Sequence, residues 1–231
     1  MKANRPSLIL YFTALLLTII FDCTNQEFLA VYAKAIVVPS IFFYFFVSNN
    51  NKIDKVKFLI FFFCFVGQVF DLMDIEISNI GELFSFLIVY LLLLKLIIVD
   101  YEKIKIKKSD FLPVTMVIIF IVYLLISVLN LQFDNVDEFH FAYIFYGIVL
   151  SILGFVSYVS YITKGTYVSL LLTLMSSCFI FSDIFYIFIQ FFSDSIALVL
   201  IQDITQIGSY FFMVKYFLEK KSKNTVALHY N

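Results

Sequence analysis

The sequence predicts an all-α fold, a polytopic membrane bundle of eight transmembrane helices with both termini cytoplasmic. Three observations lead there: the composition, the number of apolar runs, and the side on which the basic residues fall. Of 231 residues, 62% are hydrophobic and 14% charged, and the mean hydropathy is +0.99. A soluble domain carries roughly a quarter of its residues charged, so lipid is the expected solvent. The same figures exclude disorder, which needs low hydrophobicity and high net charge. A formal net charge of −1 supplies no basic face for nucleic acid.

A hydrocarbon core about 30 Å thick needs ~20 apolar residues in helical form. Apolar runs fall at about 7–21, 28–47, 56–73, 80–99, 111–130, 139–162, 166–192 and 197–218, separated by short polar breaks. Residues 219–231 read as a mobile polar tail. The first run is short, yet it ends in Ile19-Ile20-Phe21-Asp22-Cys23 with no small-residue cleavage site, so it is kept as a helix.

The charges test this count independently. Lys2 and Arg5 precede span 1, Lys52, Lys55 and Lys57 lie at the 2–3 connection, and Lys95, Lys103, Lys105, Lys107 and Lys108 flank the 4–5 connection. Lys164 lies between spans 6 and 7, and Lys215, Lys220, Lys221 and Lys223 close the chain. The four other connections carry Asp22 and Glu27, Asp74 and Glu76, Asp134, Asp137 and Glu138, and Asp194, with no Lys or Arg. Fifteen of the sixteen basic residues thus share one side, which the positive-inside rule makes cytoplasmic. Helical spans favour an inner or plasma membrane, since outer-membrane proteins use barrels. Tyr11, Tyr44, Tyr101, Tyr143, Tyr161 and Tyr216 lie near span ends, where phenols reach the interface.

Polar residues within the spans are the candidate functional groups, because a charge at membrane depth costs at least ~2.5–3.5 kcal/mol and needs a partner or a wet cavity. They are Lys34 in span 2, Gln68 and Asp71 in span 3, Glu82 at the start of span 4, Ser182 and Asp183 in span 7, and Asp203, Thr205, Gln206 and Ser209 in span 8. At 1.5 Å per residue, Lys34, Gln68 and Asp203 lie ~8–9 Å below the outer ends of their spans and Asp183 ~13 Å below. One outer-half layer therefore collects an acid, a base and amides. Two readings follow: a pocket open to the outer side or leaflet, or an ion pair of Lys34 with a carboxylate that holds the helices together. Asp183 is the leading candidate, while Asp71 and Glu82 read as more interfacial. Halving the chain into spans 1–4 and 5–8 aligns Phe65-Val66-Gly67-Gln68 with Ile180-Phe181-Ser182-Asp183, a hint of parallel repeats. Cys23, Cys64 and Cys178 are odd in number and far apart, and read as buried thiols. With only His140 and His229 besides, no metal set forms and no cofactor is expected.

Around these residues the chain resembles the YhhN family of eight-span lysoplasmalogenases, over about residues 30–217. Lys34 and Pro39 echo a Lys-Pro-x-x-x-x-Pro segment, Gly67-Gln68 a third-span Gly-Asp, and Gly81 through Phe86 the Gly and aromatic run that follows. Phe179, Ser182 and Asp183 match a seventh-span Phe-x-x-Ser-Asp, with Phe191 as the Phe eight positions on, and Gly208-Ser209 stands where the family has Ala-Gln. The resemblance implies hydrolysis of the vinyl ether of a lysoplasmalogen, giving a fatty aldehyde and a glycerophospho-headgroup. It implies a catalytic pair formed by Asp183 and a third-span acid. The acid is replaced by Gln68, and Asp71 one turn later can present a carboxylate on the same face. The family's fourth-span His falls near Val89 or Tyr90 and is absent. Asp183 with Asp71 is then the expected catalytic pair, Asp183 serving as the acid. Lys34, Gln68, Ser182, Asp203 and Ser209 would bind substrate, and a membrane lipid of the lysophospholipid type is the expected partner. The alternative is a non-catalytic relative that binds lipid or supports a membrane complex.

Overall fold

The computed structural model describes residues 5–73, 78–98, 107, 110–132, 140–191 and 195–229, with side chains of 128–132, 140, 191 and 221–229 outside the description. The described residues form eight helices and the short connections between some of them: α1 (Arg5–Cys23), α2 (Glu27–Ser48), α3 (Lys55–Met73), α4 (Ser78–Ile98), α5 (Phe111–Gln132), α6 (His140–Lys164), α7 (Tyr167–Phe191) and α8 (Ile196–His229). Seven are long and apolar enough to cross a membrane, and α5 is apolar over Phe111–Ser127. In lipid every backbone N–H and C=O must be satisfied inside the segment, which a helix achieves. The protein is a multi-pass helical membrane bundle.

Each predicted span coincides with one helix to within a few residues, except at the end of the chain. There α8 stays helical to His229, where the sequence predicts a polar tail from 219. The acidic connections at 74–77, 133–139 and 192–194, and Lys103, Lys105 and Lys108, fall outside the described residues.

The short connections explain their own composition. Asn25 has φ 53°, and Asn50 and Asn51 have φ 58° and 57°, the left-handed region that Asn tolerates better than most residues. Gln26 N–H donates to Phe21 O (2.9 Å) and Asn51 N–H to Phe46 O (3.0 Å), closing α1 and α2. Gly165, at φ 55°, ends α6 as glycine commonly ends helices. Thr166 and Ser169 then cap α7 reciprocally, with Thr166 N to Ser169 Oγ at 3.0 Å and Ser169 N to Thr166 Oγ1 at 3.2 Å.

Consecutive helices pack against one another except α4 and α5, and α1, α2, α3, α4, α6, α7 and α8 close into a ring in which α8 meets both α1 and α2. Helix α5 lies outside this ring against α6 and α7, with Phe111, Met116, Ile119 and Tyr123 turned outward, each at least 64% exposed. The pairings α1–α2, α2–α3, α3–α4 and α2–α8 recur as α5–α6, α6–α7, α7–α8 and α6–α4. The halves aligned in the sequence therefore pack alike, apart from the outer position of α5.

At one end of the bundle the basic residues meet aromatic rings. Lys57 Nζ lies 5.2 Å from the Phe217 ring centre and Lys215 Nζ 5.5 Å from that of Phe211, while Lys220 donates to Leu96 O at 2.9 Å. This is the end that the charge pattern makes cytoplasmic. Among the predicted interfacial tyrosines, Tyr44 and Tyr216 lie beside Lys215 and Lys220 here. Tyr11 does not: it is buried in the core and donates to Ile207 O of α8. Tyr143 lines an internal cavity, Tyr161 is exposed, and Tyr101 lies outside the described residues. Cys64 is buried and Cys178 half-buried, but Cys23 is exposed at the end of α1, contrary to the expectation of three buried thiols.

Helices α3 and α4 approach closely through Gly67. A Cβ there would lie 2.9 Å from the Phe86 ring and 3.2 Å from Ser85 Cβ. We expect Gly67→Val to cost about 1–3 kcal/mol, the usual range for overpacking. Gly208→Ala, whose new Cβ would meet only Cys178 Sγ at 3.9 Å, should be tolerated. Thermal unfolding in detergent checks the pair, and equal melting temperatures would contradict the close approach.

Candidate active site

Asp183 sits near the middle of α7 and is held by two phenols from neighbouring ring helices. Tyr146 of α6 donates to its Oδ2 at 2.7 Å and Tyr90 of α4 donates to the same oxygen at 2.9 Å. The two hydroxyls are 3.4 Å apart. Tyr90 is fully buried and packs edge-on against Phe179, one turn before Asp183, with ring centres 5.3 Å apart. The α7 sequence therefore builds both the carboxyl and the aromatic that seats its hydrogen-bond donor. Both contacts fall on Oδ2, which leaves Oδ1 without a hydrogen bond from the described residues.

Asp183 opens onto a cavity of about 170 Å³ whose polar lining includes Asn79, Glu82, Tyr143, Tyr186, Gln190 and Gln206. Its apolar wall includes Leu83 and Phe86 of α4, Leu150 of α6, and Ile121, Leu124 and Leu125 of the outer helix α5. Among the described residues, no Lys, Arg or His lines it. The Tyr186 hydroxyl lies beside the Glu82 carboxyl and donates to Asn79 Oδ1 at 3.1 Å. Glu82 is within electrostatic reach of both Asp183 and Asp71.

The predicted site residues divide between two places. Asp183 and Ser182 line the cavity, but Lys34, Gln68, Asp71, Asp203 and Ser209 do not, so the expected single pocket is two polar centres. Lys34 Nζ pairs with Asp203 Oδ1 at 2.9 Å, joining α2 to α8. Gln68 Nε2 donates to the Lys34 carbonyl at 2.9 Å, joining α3 to α2. Ser209 Oγ is spent within its own helix on Gln206 O (2.6 Å), as is Thr205 Oγ1 on Ile201 O (2.7 Å). Asp71 is half-buried, near Lys34 and Glu82 rather than at the cavity wall.

The sequence reading therefore missed Tyr90, Tyr146, Tyr186 and the cavity position of Glu82. A phenol in an apolar run carries no signal separating core, interface and site. Glu82 did carry one, since it falls inside the α4 helix four residues from its start. Among the described residues no group of three or more His, Cys, Asp and Glu is arranged to hold a metal ion. What the arrangement can do is acid–base chemistry. Two carboxyl groups share an apolar chamber, one seated by two hydroxyl donors and the other beside a third, and such pairs move protons between themselves and a substrate.

Tyr90→Phe tests the seat of Asp183 without changing packing. Removing one hydrogen bond to an ionisable group costs ~1.5–3 kcal/mol, so any turnover that depends on Asp183 should fall about tenfold or more. An activity equal to wild type would show that the Tyr90 hydroxyl is idle. No protein-family model matches the chain, and no curated protein or solved structure matches it either.

Proposed function

We propose that this membrane protein is a lysoplasmalogenase-type hydrolase, cleaving the vinyl ether bond of a lysoplasmalogen-type lipid. One observation carries the reading: Asp183, seated by Tyr90 and Tyr146, shares an intramembrane cavity with a second carboxyl, Glu82. The cavity is smaller than the ~300–1,000 Å³ of sites that engulf a drug-sized ligand. It would therefore enclose the reacting segment and leave the alkyl chain among bilayer lipids. Helix α5, outermost in the bundle and part of the cavity wall, is the natural flank for lateral entry.

The chemistry needs one proton donor and one acceptor. The donor protonates the alkene carbon remote from oxygen, forming a C–H bond and an oxocarbenium ion. Water adds to that ion and yields its proton to the acceptor. The resulting hemiacetal collapses as its hydroxyl proton leaves and the departing glyceryl oxygen is protonated, so one water is consumed and an aldehyde and an alcohol are released. Two donated hydrogen bonds suit an anion, which gives Asp183 the role of facing the cation and accepting the water proton. Like charges close together in an apolar site do not both ionise, which gives Glu82, within electrostatic reach of both Asp71 and Asp183, the role of donor. This differs from the sequence expectation, in which Asp183 was the acid and Asp71 its partner.

The resemblance noted in the sequence supports the same site. Phe179, Ser182 and Asp183 keep the seventh-span motif, and Tyr90, near the position of the family's fourth-span His, reaches the Asp183 carboxyl. Purified protein in detergent micelles with lysoplasmalogen should release aldehyde, and Glu82→Gln should lose at least a hundredfold in rate, the scale of a missing general acid. Aldehyde release unaffected by Glu82→Gln would remove Glu82 from the mechanism. The commitment of Gln68 to a backbone carbonyl, where the resembled family has its second acid, favours a second reading in which lipid binds uncleaved. Saturable lipid binding without aldehyde would select it.

A further inference from the structure

Depth sorts the polar lining of the Asp183 cavity. At 1.5 Å per residue, Asn79 and Gln190 lie ~2 Å below the outer ends of α4 and α7, and Glu82 ~6 Å below that of α4. Ser182 and Asp183 lie ~12–14 Å below the outer end of α7 and Gln206 ~15 Å below that of α8. These three form the floor. Leu124 and Leu125 of the outer helix α5 wall the cavity at nearly the same level, ~11–12 Å below the end of α5.

The floor has acceptors that the protein does not use. Asp183 Oδ2 takes both phenols, and Oδ1 takes no hydrogen bond from the described residues. Ser182 is 3% exposed and Gln206 6%. Neither side chain has a hydrogen-bond partner among the described residues; only the Gln206 backbone carbonyl is engaged, by Ser209. Buried polar groups are ordinarily paired, so two unpaired ones on a cavity floor mark the place of a polar ligand group. The charge of that group follows from Asp183. Two donated hydrogen bonds suit its anion, an anion within a membrane bundle calls for a positive partner, and among the described residues no cationic side chain lines the cavity. A primary ammonium has three N–H donors, and the floor offers three acceptors: Asp183 Oδ1, Ser182 Oγ and Gln206 Oε1. The apolar wall of α5 beside the floor gives an attached chain its way to the lipid.

We propose that the cavity floor binds the ammonium group of a single-chain lipid amine, whose alkyl chain leaves past α5. Such an amine carries at its head the positive charge that an oxocarbenium ion develops beside Asp183, so it competes with the substrate. The inference rests on Asp183 as a cavity-facing anion, which the hydrolase reading also uses, and not on cleavage.

Calorimetric titration of the full-length protein in a non-ionic detergent tests it, with decylamine, protonated at neutral pH, set against neutral decanol. Wild type should bind the amine about tenfold tighter or more, the scale of hydrogen bonds to a charged group. Asp183→Asn should remove that preference and leave decanol binding unchanged; partition into the micelle is common to both proteins and cancels. Should Asp183→Asn fail to fold, Gln206→Met, which keeps the length and removes the acceptor, decides by a several-fold loss of amine affinity alone. Equal affinity of wild type for amine and alcohol, or amine affinity unchanged by the deciding variant, would overturn the proposal. Amine binding that depends on Asp183 in a protein releasing no aldehyde would leave this site standing and remove the hydrolase reading. Aldehyde release that decylamine does not inhibit would do the reverse.

Discussion

Replacing Asp183 by Asn is expected to abolish turnover while leaving fold and lipid binding in place. The side chain keeps its shape and one carbonyl oxygen, so the phenols of Tyr90 and Tyr146 retain an acceptor where Oδ2 now takes bonds of 2.9 and 2.7 Å. An amide cannot accept a proton from water, nor can it carry a negative charge toward an oxocarbenium ion. General acid–base groups contribute ~10²–10⁴-fold, and a loss in that range should fall on kcat rather than on KM. Near-normal melting in detergent would show that the loss is chemical. Full turnover by Asp183→Asn would remove the residue from the reaction, and with it the significance of the two tyrosines.

The second large effect belongs to Lys34. Lys34→Met leaves Asp203 without its ammonium in a site where the Asp203 side chain is 3% exposed. Breaking a buried ion pair from one side typically costs 3–5 kcal/mol, because a charge is left unpaired. Ordinary interhelical polar contacts in membranes are worth only ~0.6–2 kcal/mol, so the size of the loss separates the cases. The double variant Lys34→Met/Asp203→Leu should recover much of it, since an apolar pair removes the unpaired charge together with its partner. Thermal unfolding of the three variants in one detergent measures this. A single variant as stable as wild type would mean that water, rather than Lys34, satisfies Asp203.

Much of this architecture was legible in the sequence because the bilayer imposes it. Span number follows from hydrocarbon thickness, and alternation of basic and acidic connections checks each crossing. The eight helices lie within a few residues of the eight apolar runs until α8, which continues through residues 219–229. The Lys34–Asp203 pair could be anticipated because intramembrane charges seek partners. Rotation about each helix axis was not legible. A soluble helix reveals its buried face by being polar on the other, whereas here both faces are apolar. Phe62 and Phe84 face outward while Phe61 and Phe86 are buried, and no difference in residue type separates them. Hence Asp71 and Glu82, both near the outer ends of their helices, looked alike, although Glu82 alone lines the cavity. Tyr90 and Tyr146 were hidden for the same reason.

The measurement that tests the central claim most directly is hydrolysis of a lysoplasmalogen in D2O by the purified protein, with the aldehyde followed by mass spectrometry. Proton delivery to the alkene carbon should place one solvent deuterium beside the new carbonyl, in an aldehyde released by wild type and at least a hundredfold more slowly by Asp183→Asn. Aldehyde lacking that deuterium, or no aldehyde above the level of Asp183→Asn, would contradict an intramembrane acid–base hydrolase built on Asp183 and Glu82.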